Sequence, residues 1–352
     1  MPTPAQRLKA RLADGGSIPF AEFMAEALYG ENGYYTRGPA PMDAGGDFVT
    51  GSSLSPIFGR ATAALVRRLD EALGRPADIL EVGYGHGRHL ETMVECLGNS
   101  SQRRILACDR VPRPLPAGVQ GLANLDKQPP RSLTGLVFSY ELFDALPIHR
   151  LIGRLDGTVG ELWVELSPEE DFRYVEGAIS DASLIGGLGG GEPDLEPGQV
   201  ADVTPEWGSL YRQLAEILDI GLVVTCDYGF ERRGLFDRRV RFHGTLACYR
   251  RHRVHRDALR AVGEQDLTAH VDFTTLREAG EAAGLATVSL SRQARWLLAC
   301  GVFDQLQDAD QTTRLEALDL LNADGMGEEI RVLVQGRGVS PSSLFDLDVL
   351  GS

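Results

Sequence analysis

Apolar positions along this chain recur in two rhythms. From 18 to 28 they fall at helical spacing, and the run from Gly30 to Tyr35 breaks it. Gly, Pro and Asp crowd residues 38–47, and a second helix is predicted over 55–73, ended by Gly74 and Pro76. After residue 76 the pattern changes to short apolar runs at 77–82, 104–108, 133–139, 221–226 and 329–335, with helical stretches between them. Short apolar strands alternating with helices predict an α/β fold with a Rossmann-like, mostly parallel sheet.

Two insertions interrupt the alternation. Residues 151–205 hold one or two strands at 158–166 and a glycine-rich stretch at 186–191 that reads as a flexible loop. Residues 230–285 hold a basic segment at 232–260, then 266–273, and read as a lid or substrate-binding element.

Composition narrows the class. At 352 residues and 43% hydrophobic, the chain can bury a large core, and at 24% charged it reads as soluble and globular. No apolar run approaches the ~20 residues that span a bilayer, so no membrane role is expected. The net charge of −15 disfavours nucleic acid and suits a basic partner, or simply solubility. Five cysteines without a CxxC pair (Cys96, Cys108, Cys226, Cys248 and Cys300) argue against a disulfide framework or a zinc site and fit a reducing cytoplasm. No metal site is expected: His270 lies between Asp266 and Asp272, but that spacing fits no ligand pattern, and a hydrogen-bonded structural histidine is the preferred reading.

The richest segment is Glu81-Val82-Gly83-Tyr84-Gly85-His86-Gly87, an apolar strand running into three alternating glycines with a helix beyond. Glycine allows a tight turn and lets a ligand approach the backbone closely, and the helix start offers free N–H groups. The spacing is GxGxG rather than the GxGxxG of dinucleotide folds. It resembles motif I of class I methyltransferases, which implies S-adenosyl-L-methionine as cofactor, with Gly83, Gly85 and Gly87 beneath it and Glu81 at its ammonium end. A plain strand-to-helix turn is the competing reading. Asp109 ends the second strand, where a carboxylate accepts from two ribose hydroxyls, unless it is a solvated strand end beside Arg110. Asn124 or Asp126 is a candidate for the adenine edge.

After the central strand comes Tyr140-Glu141-Leu142-Phe143-Asp144-Ala145-Leu146-Pro147. Ligands of open α/β sheets sit outside the carboxyl ends of the strands, so Glu141 and Asp144 fall where a substrate belongs. If the segment is a helical turn, both carboxylates face one site and grip a guanidinium or act as a base. Alternatively one caps a helix and the other pairs with an arginine. Here the chain resembles the MidA-like methyltransferases, relatives of the mitochondrial complex I assembly-factor arginine methyltransferase. The matching pieces run from Ile18-Pro19-Phe20 and Gly33-Tyr34-Tyr35 through Gly46-Asp47-Phe48-Val49-Thr50, the glycine motif and the Glu141 segment. They continue with Asp227-Tyr228-Gly229, Gly244-Thr245-Leu246, Tyr249, His252 and the run 263–273.

The resemblance implies a seven-stranded methyltransferase sheet with an added helical substrate region. In that organisation 1–75 is a helical closing segment and 76–230 the cofactor core with its insertion at 151–205. Residues 231–285 are an inserted helical lid, and 286–352 supply the C-terminal strands that complete the sheet. Catalytic candidates are Glu141, Asp144, Tyr140 and His270. Cofactor candidates are Glu81, Gly83, Gly85, Gly87, Asp109 and Asn124, with Asp47 and Thr50 from the amino-terminal segment; Tyr34, Tyr35, His252 and His270 are expected to help close the site. Two positions depart from the family pattern: Tyr84 stands where the family has proline, and Tyr140 where it has asparagine. Three functions follow: a protein arginine methyltransferase, a small-molecule or peptide methyltransferase with a reshaped pocket, or a non-catalytic assembly protein. A homodimer is compatible with any of them.

Overall fold

The computed structural model describes residues 1–37, 56–98, 102–189, 195–307, 309–322 and 326–351. Asp47 and Thr50 lie outside the described residues. The chain divides into two compact units. One comprises the described part of Met1–Phe48, with Phe143–Trp207 and Gly229–Thr275; the other comprises the described parts of Val49–Leu142, Gly208–Tyr228 and Leu276–Ser352. The latter is called here the sheet unit and the former the insert unit.

Among the described residues the sheet unit carries seven strands: β1 (Asp78–Val82), β2 (Ile105–Cys108), β3 (Gln120–Leu122), β4 (Leu133–Tyr140), β5 (Leu218–Phe230), β6 (Ala286–Arg292) and β7 (Ile330–Arg337); in the insert unit, Val271–Asp272 pairs parallel with the Gly229–Phe230 end of β5 as an eighth. Their order is β3-β2-β1-β4-β5-β7-β6. All neighbours are parallel except β7, which runs antiparallel to both β5 and β6. β1 and β2 are buried throughout and β4 nearly so, the signature of a parallel sheet covered on both faces. Helices Pro56–Leu73 and Arg88–Leu97 bury Phe58, Leu65, Leu69, Leu90 and Met93 in the core that also takes Ile79, Phe138, Val224 and Trp296.

Two glycines let the central strands approach. A Cβ at Gly135 on β4 would stand 2.0 Å from the Asp78 carbonyl oxygen on β1, and one at Gly221 on β5 would stand 1.9 Å from the Gly135 carbonyl oxygen. No side chain fits either place.

The insert unit contains more strand than the sequence pattern announces. The span 151–205 joins an antiparallel sheet of Ser17–Pro19, His149–Gly153, Val159–Leu166, Phe172–Gly177 and Val200–Val203. Within the glycine-rich stretch, Gly186 and Gly187 lie in a 3₁₀ helix, Ala182–Leu188, capped by the Asp181 carboxylate accepting from Ser183 N–H at 2.8 Å. The span expected as a helical lid carries a three-stranded sheet of Ala247–Arg250, Arg253–His255 and Asp266–Thr268, and within that span the helices are Arg232–Leu235 and Phe273–Ala282. Its basic residues had masked the alternation, because Arg250 and Arg253 occupy strand positions and the strands are only three or four residues long.

Candidate active site

The carboxyl ends of β1, β2, β4 and β5 are in register on one edge of the sheet. Val82 pairs with Cys108 on one side and Ser139 on the other, and Tyr140 pairs with Cys226. Gly83 N–H donates to the Cys108 carbonyl at 2.8 Å and Glu141 N–H to the Cys226 carbonyl at 2.9 Å, so both loops leave the sheet under control.

Gly83, Gly85 and Gly87 have φ of 74°, 52° and 75°, a left-handed path that a side chain resists. Gly87 is the N-cap of Arg88–Leu97. Asp109 closes on the loop: one carboxylate oxygen accepts from Gly85 N–H at 3.0 Å and the other from Val111 N–H at 2.9 Å. Burial raises the Asp109 carboxyl above its ordinary range, and these two N–H donors oppose the rise.

The arrangement fits an adenosyl ligand. A glycine cradle lies at a strand end, a helix N-terminus stands beyond it, and a carboxylate faces the cradle from the next strand. Tyr84 does not stand free in that hollow. Its ring is 7% exposed and belongs to the core cluster, and its hydroxyl is bonded to the backbone of Arg113.

Glu81 is held differently from the expectation. Its carboxylate is 4% exposed and meets His89 Nδ1 at 2.8 Å, while His89 Nε2 meets the Thr62 hydroxyl at 3.0 Å. The His89 ring stacks on Phe138 at 4.6 Å. Neither His89 nor Thr62 was singled out from sequence; the signal was a histidine on the first turn of the helix after an acidic strand.

Glu141 follows β4 with φ of 47°, an uncommon state for a residue with a side chain and one that concentrates at functional sites. Its neighbour Leu142 donates N–H to the Asp227 carboxylate at 3.1 Å, and Asp227, fully buried on β5, also takes its own neighbour Tyr228 N–H at 2.9 Å. Asp227 thereby fixes the turn that carries Glu141. The condition set for a shared carboxylate face is not met, because residues 141–147 form bends and turns rather than a helical turn. Glu141 belongs to the sheet unit and Asp144 to the insert unit.

Tyr140 is buried in the core cluster. Its hydroxyl donates to Gln293 Oε1 at 2.7 Å and its ring meets Phe58 edge-on at 5.0 Å. A buried phenol needs an acceptor, and Gln293 supplies it. Burial, then Glu141, pushes the hydroxyl well above its ordinary pKa, so it stays a donor. Asn124 is exposed on the turn after β3, and Asp126 accepts from Gln213 at 3.0 Å. His252 is exposed on a hairpin turn with Arg251, both at positive φ (60° and 50°), which is turn chemistry.

In the insert unit the segment after Glu141 is pinned at three successive carbonyls. Phe143 accepts from Trp207 Nε1, Asp144 from Ala269 N–H and Ala145 from the Tyr29 hydroxyl, each at 2.9 Å. Asp144 is 5% exposed. Tyr35 donates to the Asp266 carboxylate at 2.8 Å; burial, then Asp266, Tyr29 and Asp144, raise its hydroxyl well above the ordinary value. His270 Nδ1 is buried with no hydrogen-bond partner among the described residues, and burial, then Arg241, lowers its pKa to about 4. Among the described residues no group of three metal-ligating side chains is found.

Comparison with known proteins agrees with this geometry. A family model described as "Putative S-adenosyl-L-methionine-dependent methyltransferase" matches residues 100–291, more than half of the chain. The protein arginine methyltransferase NDUFAF7, mitochondrial, of Xenopus tropicalis is 27% identical over 374 residues, covering 91% of this chain and 83% of that protein. Its counterpart in Danio rerio is 26% identical, covering 93% and 85%. A crystal structure of a Burkholderia thailandensis protein bound to S-adenosyl-homocysteine superposes with a TM-score of 0.84 at 28% identity, covering 96% of this chain and 92% of that one.

Proposed function

This chain belongs to the MidA-like family of S-adenosyl-L-methionine-dependent methyltransferases, and from that premise we propose that its methyl acceptor is an arginine nitrogen of a protein partner. The observation that carries the proposal is the placement of a strained carboxylate, Glu141, on the same strand-end edge as the glycine loop and Asp109.

When bound, the cofactor supplies a methyl group made electrophilic by the sulfonium. The residues of this chain bind and orient. Asp109 accepts from the ribose hydroxyls, and the Gly83–Gly87 loop admits the ligand against bare backbone. Glu141 accepts guanidinium N–H groups, whose planar fork matches a carboxylate. As the acceptor nitrogen gains the methyl it sheds one proton, which Glu141 takes and passes to water. Asp227 keeps Glu141 in place through Leu142 N–H. Glu81 acts at the ammonium end of the ligand in an orientation set by His89.

Within the insert unit, Asp144 and Asp266 surround the Tyr35 hydroxyl with negative charge, a chemistry suited to a cationic acceptor. His270 stays neutral at pH 7. The small-molecule alternative drew on Tyr84 and Tyr140 reshaping the pocket, and both rings are buried in the core. The location proposed is a reducing compartment, since all five cysteines are free; the curated relatives are named as mitochondrial, and cytoplasm remains the proposal for this chain. No helix among the described residues is long and apolar enough to cross a membrane.

The test is transfer of a labelled methyl from S-adenosylmethionine into a fractionated lysate, followed by acid hydrolysis. Label in methylated arginine supports the reading. Label confined to small molecules, or to another amino acid, overturns the acceptor.

A further inference from the structure

Tyr84 stands between two glycines, Gly83 and Gly85, both in the left-handed region. Such a loop loses much backbone entropy when it is fixed, so something must hold it. The structure shows what does. The Tyr84 hydroxyl donates to the Arg113 carbonyl oxygen at 2.9 Å, and Arg113 N–H donates back to the same hydroxyl at 2.8 Å. One side chain thus occupies both backbone groups of a single residue 29 positions along the chain. Four residues before Arg113, Asp109 accepts from Gly85 N–H at 3.0 Å. The glycine loop and the segment after β2 are therefore tied at two points, one of them the carboxylate assigned to the ribose.

We propose that Tyr84 is a positioning residue, a strap that sets the distance between the glycine loop and the Asp109–Arg113 segment and so preforms the adenosine half of the cofactor site. The inference rests on the cofactor reading above. The chain stiffens this loop by a two-way hydrogen bond. The Tyr84 ring also lies 3.9 Å from where a Cβ on Gly87 would stand, so the strap reaches the start of the following helix. Burial raises the hydroxyl pKa, which keeps its proton available for the Arg113 carbonyl.

Tyr84→Phe removes both bonds and keeps the buried ring. Arg113 is half-buried, so water can take over its backbone groups and folding should be little affected. Titration calorimetry with S-adenosylhomocysteine and with adenosine, thermal melting, and hydrogen exchange at the Arg113 amide read the effect. The strap predicts about tenfold weaker binding, the scale of two net hydrogen bonds. The loss should be equal for both ligands, with faster exchange at Arg113 and a melting temperature within a few degrees of wild type. Affinity within twofold of wild type, or a loss confined to S-adenosylhomocysteine, overturns the strap. A wild-type protein that takes up neither ligand would instead overturn the cofactor reading, and exchange at Arg113 in the free protein would still decide the strap: unchanged exchange in Tyr84→Phe defeats it.

Discussion

At Glu141 the backbone sits at φ 47°, where a side chain costs about 1 kcal/mol or more. Asp227 holds the turn there through Leu142 N–H, and the strain makes sense if the carboxylate must stand at the strand-end edge. Glu141→Gln keeps the shape and removes the base. It should leave S-adenosylhomocysteine affinity within twofold and lower kcat by about a hundredfold or more, in steady-state transfer assays. A fully active variant removes the carboxylate from the chemistry. His270 gives a pH signature. Its folded pKa of about 4 lies below the ordinary 6.5, so the unfolded chain binds the proton first as pH falls. Its contribution is complete above pH ~6.5 and declines toward pH ~4, by about 3 kcal/mol at most. In denaturant titrations the stability of wild type relative to His270→Asn should fall as pH falls across that window; parallel curves would show that His270 titrates normally.

Between elements, the decisive contacts are backbone to backbone. Gly221 leaves no room for a Cβ beside the Gly135 carbonyl, so Gly221→Ala must push β4 and β5 apart. A loss of about 2–4 kcal/mol is expected from chemical denaturation, the scale of forced overpacking in a core; a loss under 0.5 kcal/mol would mean that the strands slide freely. The sequence made this sheet readable because β1, β2, β4 and β5 are continuous apolar runs, each followed by a break or a carboxylate. Strands such as Phe172–Gly177 and Ala247–Arg250 were not readable, since both are short and half-exposed and carry charged residues, Arg173, Glu176 and Arg250, among the apolar ones. The glycine loop and Asp109 were legible for the same reason as the sheet: special backbone and strand-end acids leave local marks. The partners of Tyr140, Glu81 and Tyr84 were not. Gln293, His89 and Arg113 are joined to them by folding, and spacing along the chain carries no trace of that.

For the whole molecule, the chain spans most of the length of the similar proteins reported above, and its β3-β2-β1-β4-β5-β7-β6 sheet places one ligand edge at the carboxyl ends of the parallel strands. Its net charge of −15 favours a basic acceptor over a nucleic acid. The claim on which the rest depends is that the cofactor's adenosine end rests on the Gly83–Gly87 loop against Asp109, with its sulfur toward Glu141. The most direct measurement is the position of S-adenosylhomocysteine in crystals of this protein. The account predicts both ribose hydroxyls within hydrogen-bond distance of the Asp109 carboxylate and the sulfur on the Glu141 side of the loop; a ligand whose ribose lies away from Asp109 would contradict it.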